Sequence, residues 1–157
     1  MMWMRALTKL IAAWEIAFGI GALVGRLGEG IGGTSPASIA DLGAGVLLFS
    51  MSAAAGTWLW IRGGSGALPS IGVQLLQAVP FGYHGFAFRF VAGPHWTLPV
   101  GSPPLWAPYG LQGVLYWFSQ PTFPDRWMGV NVVAVATAVF LALAWHQDRR
   151  TRSCGAG

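Results

Sequence analysis

Long apolar segments with few charged residues recur along the chain. A helix needs about 20 mostly apolar residues to cross a bilayer. Four segments approach or exceed that length, and they cover residues 7–25, 38–61, 68–92 and 127–146. The pattern therefore predicts an all-α integral membrane protein. We expect residues 1–157 to form a single membrane domain, a bundle of four transmembrane helices.

Polar residues recur at helical spacing in the first and third predicted spans. One stripe of the first span combines small and polar residues at intervals of three and four, namely Thr8, Ala12, Glu15, Gly19, Ala22 and Arg26. Small residues let a neighbouring helix approach closely, so this stripe predicts that Glu15 faces the bundle interior. The third span has a similar stripe, formed by Gln74, Gln77, Phe81, His84 and Phe88, and Pro80 predicts a kink beside it.

Residues 93–125 are predicted to form a long outer loop rich in proline and tryptophan. The loop holds seven of the ten prolines, and residues 93–124 carry no formal charge. Such proline density excludes a continuous span, but residues 109–119 are apolar and suit a short interfacial or re-entrant helix. An uncharged aromatic loop is costly to expose to water. We therefore expect it to contact other membrane subunits through Trp96, Trp106, Tyr109 and Trp117.

Composition supports placement in a membrane. The chain is 54% hydrophobic and 9% charged, whereas a soluble domain is about 25% charged. The net charge of +4 does not indicate nucleic-acid binding, because the basic residues lie at span ends and in the tail cluster Arg149, Arg150 and Arg152. Clusters of that kind contact anionic lipid. The single cysteine, Cys154, excludes an internal disulfide.

The basic residues also predict the orientation. Six lie on one side of the predicted bundle, namely Arg5, Lys9, Arg62, Arg149, Arg150 and Arg152, and three lie on the other, namely Arg26, Arg89 and Arg126. The positive-inside rule then places both termini and the tail 147–157 in the cytoplasm of a cell with a bacterial inner membrane. The first span is expected to stay uncleaved, because Glu15 interrupts its apolar run.

Four polar residues are expected to meet near the middle of the bilayer. Glu15 lies about 12–15 Å into its span at about 1.5 Å per residue, and Gln77, Ser50 and Ser52 lie at similar depth. Gln74 shares the stripe of Gln77. This polar group could form a proton or cation site, or a binding site for a lipophilic molecule. The alternative is a set of hydrogen bonds that hold the helices together.

Two further groups could carry chemistry. His84 could contact a pigment or a metal as a single ligand, or it could be a hydrogen-bonded histidine of the bundle; a haem held by His84 and His146 is excluded because the two lie at different depths. Asp41, Arg89 and Asn131 form a predicted outer polar group. Asp41 and Arg89 could form an ion pair there, and the alternative is that Arg89 extends to the outer membrane surface.

Motifs of soluble enzymes are not found in the sequence, so no catalytic residues, metal ligands or particular cofactor are predicted. The first functional hypothesis is a non-catalytic accessory subunit of a larger membrane complex. The second is a small transporter or a binder of a lipophilic molecule, such as a quinone or a lipid, that uses the polar midplane group. The third is a pigment or redox subunit that acts through His84.

Overall fold

The structure is a computed structural model that describes residues 2–30, 36–83, 86–100, 109–119 and 126–154. Most of these residues are helical, and a small sheet accompanies the helices. The helices are α1 (Met2–Gly30), α2 (Pro36–Arg62), α3 (Ala67–Ala78) and α4 (Val132–Cys154), with a 3-10 turn at Gly63–Gly66. The strands are β1 (Phe81–Tyr83), β2 (Phe86–Val100), β3 (Tyr109–Ser119) and β4 (Arg126–Asn131).

Helices α1 and α2 form a closely packed pair, called the helical hairpin below. They contain 29 and 27 residues, and at about 1.5 Å per residue each is about 40 Å long. A Cβ atom added at Gly19 would lie 2.7 Å from the backbone nitrogen of Ala53, and one at Gly56 would lie 2.8 Å from the carbonyl oxygen of Ala12. These two glycines therefore set how closely the helices approach. The predicted stripe lies inward, with Glu15 fully buried.

Two helical segments are long and apolar enough to cross a membrane. They are Met2–Gly28 in α1 and Leu42–Ala78, which runs through α2, the 3-10 turn and α3. Helix α3 alone contains 12 residues, so it rises about 18 Å, well short of a hydrocarbon core about 30 Å thick. The structure thus provides two helices of spanning character and does not confirm a bundle of four transmembrane helices.

The predicted helix over residues 68–92 is wrong beyond Ala78. Val79 has an extended conformation, with φ −128° and ψ 85°, and strands β1 and β2 follow. Pro80 has no backbone N–H to continue the helix. After it, three phenylalanines alternate with other residues, at Phe86, Phe88 and Phe90, and this spacing of two is typical of a strand.

The predicted fourth span starts too early. Residues 126–131 form β4, and α4 begins at Val132. From residue 132 to residue 145 there are 14 residues before the polar tail, which rise about 21 Å. The helix begins here because the Oδ1 atom of Asn131 accepts a hydrogen bond from the backbone N–H of Ala134, at 3.4 Å. That contact is an N-cap, and it fixes the first turn.

The predicted short helix over residues 109–119 is also wrong, because these residues form strand β3. β3 pairs antiparallel with β2 in a continuous register from Phe86 opposite Ser119 to Trp96 opposite Tyr109. Pairing with β2 gives the backbone of this eleven-residue segment a regular set of partners without a helix. The region predicted as an outer loop, residues 93–125, therefore contains the second half of β2 and all of β3.

Each of the strands β1, β2 and β4 pairs with the other two, and this closed arrangement is called the strand ring below. β1 pairs with the start of β2 and with β4, and β4 pairs with the end of β2, where Thr97 lies opposite Asn131. The bend that closes the ring lies in the middle of β2, where Gly93 has φ +126° beside the ring of Trp14. L-residues with a side chain rarely adopt that φ value, so glycine is required at the bend.

The hydrophobic core has two parts along the helical hairpin. One part joins the helices to the sheet, where Phe49 of α2 packs against Phe90 of β2 with ring centroids 5.5 Å apart. The other part joins all four helices, and Ile11, Leu59 and Leu141 lie at its centre. Along the length of the helical hairpin, the sheet therefore packs against one half, and α3 and α4 pack against the other half.

Candidate functional site

The buried carboxyl group of Glu15 is hydrogen-bonded through both of its oxygens. The hydroxyl of Ser70 donates to Oε2 at 2.6 Å, and the Nε2 amide of Gln74 donates to Oε1 at 2.8 Å. Ser70 and Gln74 are four residues apart on α3, so they lie on the same helical face. All three side chains are buried. The contact therefore joins α1 to α3 through a satisfied polar group.

Ser52 approaches the same place from α2 but contacts the backbone. Its buried hydroxyl donates to the carbonyl oxygen of Glu15 at 3.4 Å. One turn further along α2, Gly56 lies against the Cβ atom of Glu15, where a side chain would not fit. The two α2 residues thus hold the backbone segment that carries Glu15, whereas α3 supplies the partners of its carboxyl group.

Gln77 lies one turn beyond Gln74 and forms a separate contact. Its Oε1 atom accepts a hydrogen bond from the backbone N–H of Ala92 at 2.9 Å, and this joins α3 to β2. The Nε2 atom of the same amide is buried and has no hydrogen-bond partner among the residues that the structure describes. A buried amide N–H without an acceptor costs free energy, about 1–3 kcal/mol in mutational data. The internal packing therefore does not explain why this Nε2 atom is buried.

The structure thus brings together Glu15, Ser52 and Gln74 from the predicted midplane group, and it places Gln77 one turn away on α3, in contact with β2. Ser70, the shortest contact to Glu15, was not among the predicted residues. Its signal in the sequence is that residues 70, 74 and 77 are spaced four and three apart. The polar stripe of α3 simply extends one turn further toward Pro69.

The structure describes the side chains of two of the three residues in the predicted outer polar group. Asn131 is buried and accepts hydrogen bonds from the backbone N–H groups of Trp96 and Ala134, so its role is to join β2 to the start of α4. Arg89 is buried on β2, and its ion pair with Asp41 and its extension to the outer membrane surface both stay predictions. Asp41 lies on α2, and its side chain is outside the described part of the structure.

Two predicted contacts lie outside the described residues: His84, the proposed pigment or metal ligand, and Trp106. Tyr109 and Trp117 lie on β3, and only their backbone is described. Within the part of the chain that the structure describes, no group of three His, Cys, Asp or Glu side chains could hold a metal ion.

An apolar surface lies on the strand ring, and it is called the apolar sheet patch below. Five side chains form it, with 39–52% of each exposed: Phe81, Trp96, Leu98, Val100 and Met128. Met128 lies opposite Phe81 on one side and opposite Val100 on the other, so the patch is continuous across three strands. Of the predicted loop contacts, Trp96 belongs to this patch.

Comparisons with known proteins give no assignment. No family model, no curated protein and no solved structure matches this chain. The buried polar contacts and the apolar sheet patch are therefore the features from which a function can be inferred.

Proposed function

We propose that this protein is a membrane protein that acts as a non-catalytic subunit of a larger membrane complex. The observation that carries the proposal is the apolar sheet patch. Its five side chains are continuous across three strands and remain 39–52% exposed. Continuous exposed apolar surfaces of this kind mark interaction sites. A rigid sheet surface is well suited to pack against a second protein.

The outer surface of the helical hairpin supports membrane insertion. Large apolar side chains on α1 and α2 point away from the protein interior, among them Leu10, Ile20, Val24 and Leu47. Together with the two segments of spanning length, this surface suits contact with lipid. The buried contact of Glu15 with α3 fits the same function, because a carboxyl group with both oxygens occupied can hold two helices together.

The chemistry of the patch favours a protein over lipid headgroups as its partner. Three cation–tryptophan pairs lie near the C-terminal end of α4, away from the patch. Such pairs are typical of a surface at the level of lipid headgroups. They are Lys9 with Trp60, Arg62 with Trp58 and Arg149 with Trp145. The five patch residues include no cation. The partner that fits them is a membrane protein with an apolar surface of its own.

Site-specific photo-crosslinking tests the proposal. A photoreactive amino acid is placed at Leu98 in the patch and, as the control, at Leu75, which is equally apolar and exposed on α3. We expect one discrete protein adduct from position 98, of the same partner that copurifies in mild detergent. The substitution Leu98→Ser should then release that partner, and Leu75→Ser should not. A monomer that forms only lipid adducts at both positions would contradict the proposal.

A second candidate function is the binding or transport of a lipophilic molecule, such as a quinone or a lipid. The specific observation in its favour is the buried Nε2 atom of Gln77, for which the described part of the chain provides no hydrogen-bond partner. A carbonyl oxygen of a bound molecule would provide the acceptor. Lipid and quinone extracts of the purified protein are compared with extracts of Gln77→Leu and of the buried control Ser52→Ala. A molecule that is lost only from Gln77→Leu supports this function, and identical extracts from all three proteins oppose it.

A further inference from the structure

A cavity of about 460 Å³ lies at the end of the molecule away from the strand ring. Its walls are the first turns of α1, the end of α2 with the 3-10 turn, and the last part of α4. Helix α4 begins directly after β4, so its two ends separate this cavity from the apolar sheet patch. The 3-10 turn can approach α4 because Gly64 has no side chain: a Cβ atom there would lie 3.0 Å from the carbonyl oxygen of Ala144.

The cavity carries an excess of positive charge. Three cationic residues line it, Arg5, Lys9 and Arg62, together with one carboxylate, Asp148. The guanidinium group of Arg152 lies 3.1 Å from this carboxylate, one turn along α4, and adds a further cation beside the cavity. Among the residues that the structure describes as lining the cavity, no other acidic side chain balances the three cations. An anion that enters would therefore meet a net attractive field.

Two of these cations are held in place by tryptophan. The ammonium group of Lys9 donates to the carbonyl oxygen of Trp60 at 2.7 Å and lies 4.2 Å from the centre of its ring. The guanidinium group of Arg62 lies 4.9 Å from the ring of Trp58. An ammonium has three donors and a guanidinium has five, so most donors of both groups remain available for an anion. Because the side chains are already ordered, less entropy is lost when an anion binds.

We infer that this cavity binds the phosphate group of an anionic ligand, carried by a phospholipid headgroup or by a soluble phosphate compound. Guanidinium groups recognise phosphate oxygens with paired hydrogen bonds, and lysine adds a point charge. Met4 and the exposed Ile61 lie at the same cavity and provide an apolar surface on which an acyl chain can lie beside the headgroup. The inference does not depend on the proposed partner of the apolar sheet patch.

Native mass spectrometry of the full chain in detergent tests this site. The protein is titrated with phosphatidylglycerol, with phosphatidylcholine and with inorganic phosphate. The cavity variant combines Arg5→Gln and Arg62→Gln. The control combines Arg149→Gln and Arg150→Gln, which remove the same charge from α4 without touching the cavity lining. We expect the cavity variant to lose at least about tenfold in affinity for phosphatidylglycerol, since hydrogen bonds to charged groups are strong. Because the tail cluster is itself expected to contact anionic lipid, the control measures the general effect of lost charge, and its affinity should fall clearly less than that of the cavity variant.

The outcomes separate the two sources of phosphate. A lipid headgroup is supported if the wild-type protein binds phosphatidylglycerol more tightly than phosphatidylcholine and only the cavity variant loses this preference. A soluble phosphate compound is supported if the protein binds inorganic phosphate, loses that binding in the cavity variant, and shows no preference between the two lipids. Equal losses in the two variants, or no effect of either, would overturn the inference. Thermal melting of both variants confirms that they are folded, which we expect because all four arginines are exposed.

Discussion

The helical hairpin and the strand ring are both built from nearly uncharged apolar sequence, yet they use glycine for opposite purposes. In the helical hairpin, Gly19 and Gly56 have ordinary helical backbones and leave space for a neighbouring helix. In the strand ring, Gly93 provides a backbone angle, φ +126°, that other residues rarely adopt. The first region depends on the size of its side chains, and the second on the conformation of one peptide segment.

This difference also determines where hydrogen bonds come from. Each helix of the hairpin satisfies its own backbone, so the contact between helices needs only close packing and the polar group around Glu15. The strand ring satisfies its backbone between segments that are far apart in sequence, such as Phe81 and Met128. Substitutions should therefore affect the two regions through different mechanisms. The variants below probe that difference, from the largest expected effect to the smallest.

Gly56→Leu should produce the largest loss of stability. A Cβ at this position meets the Ala12 carbonyl oxygen and the Glu15 Cβ, both at 2.8 Å, and neither belongs to the far end of a flexible side chain. Overpacking of this kind costs roughly 3 kcal/mol. The free energy of unfolding is measured by SDS titration in mixed micelles. The control is Gly21→Leu, where the added side chain meets open space, and an equal loss there would contradict the packing explanation.

Gly93→Ala should destabilise the strand ring by about 2 kcal/mol, because alanine is strained at a positive φ value. The added Cβ also meets the ring of Trp14 at 3.3 Å. The same titration measures the loss. Gly72→Ala on α3 is the matched control, since that site is open and alanine favours a helix. If Gly93→Ala proved as stable as the wild-type protein, the bend in β2 would not require glycine.

Asn131→Ala should cost about 1 kcal/mol, the usual value of a helix N-cap. The substitution removes the acceptor for the backbone N–H groups of Trp96 and Ala134, at the junction of β2, β4 and α4. Thermal melting followed by circular dichroism measures the effect. Asn131→Ser restores a capping oxygen and should recover part of the loss, whereas no recovery would mean that the cap is not the stabilising contact.

The smallest effects are expected at Glu15, where two variants are compared. Glu15→Leu removes the acceptor of Ser70 and Gln74, and polar contacts between membrane helices average about 0.6 kcal/mol, rarely above about 1.7. Glu15→Gln should be nearly neutral, because its carbonyl can accept from Gln74 and its amide can donate to the Ser70 hydroxyl. Assembly and phenotype are scored side by side. Normal assembly without activity in Glu15→Gln would show that a titrating carboxyl is needed.

The sequence is a good guide to the helical hairpin, because the information there is local. Continuous apolar runs give the length of α1 and α2, and the stripe through Ala12, Glu15 and Gly19 shows the inward face. The same reasoning placed Ser52 and Gln74 in one polar group with Glu15, whereas Gln77 of that group contacts β2 instead. It did not find Ser70, because that residue lies in the first turn of α3, directly after Pro69. A residue at the start of a predicted span is expected near the membrane surface, not as a buried partner of Glu15.

The strand ring could not be predicted in the same way. Two periods coexist in its sequence: Phe81 and Phe88 fit a helical stripe with Gln74, whereas Phe86, Phe88 and Phe90 fit a strand. Which period is realised depends on whether partner strands are present. Residues 81–83 pair with the neighbouring residues 86–88 and also with residues 126–128, and no local pattern specifies the second pairing over that separation. Pro80 was interpreted as a kink, but it ends the helix.

The position of Asn131 has a consequence for biogenesis. Its side chain accepts hydrogen bonds from β2 and from the first turn of α4, and its own backbone pairs with Thr97 at the end of β4. Ring closure and the start of the last helix therefore share one residue. The helical hairpin is complete when Arg62 has been synthesised, whereas the ring that starts with β1 and β2 cannot close before β4 has been made. We expect a ribosome-bound chain to form the hairpin first, and to complete the ring and α4 together in a single late step.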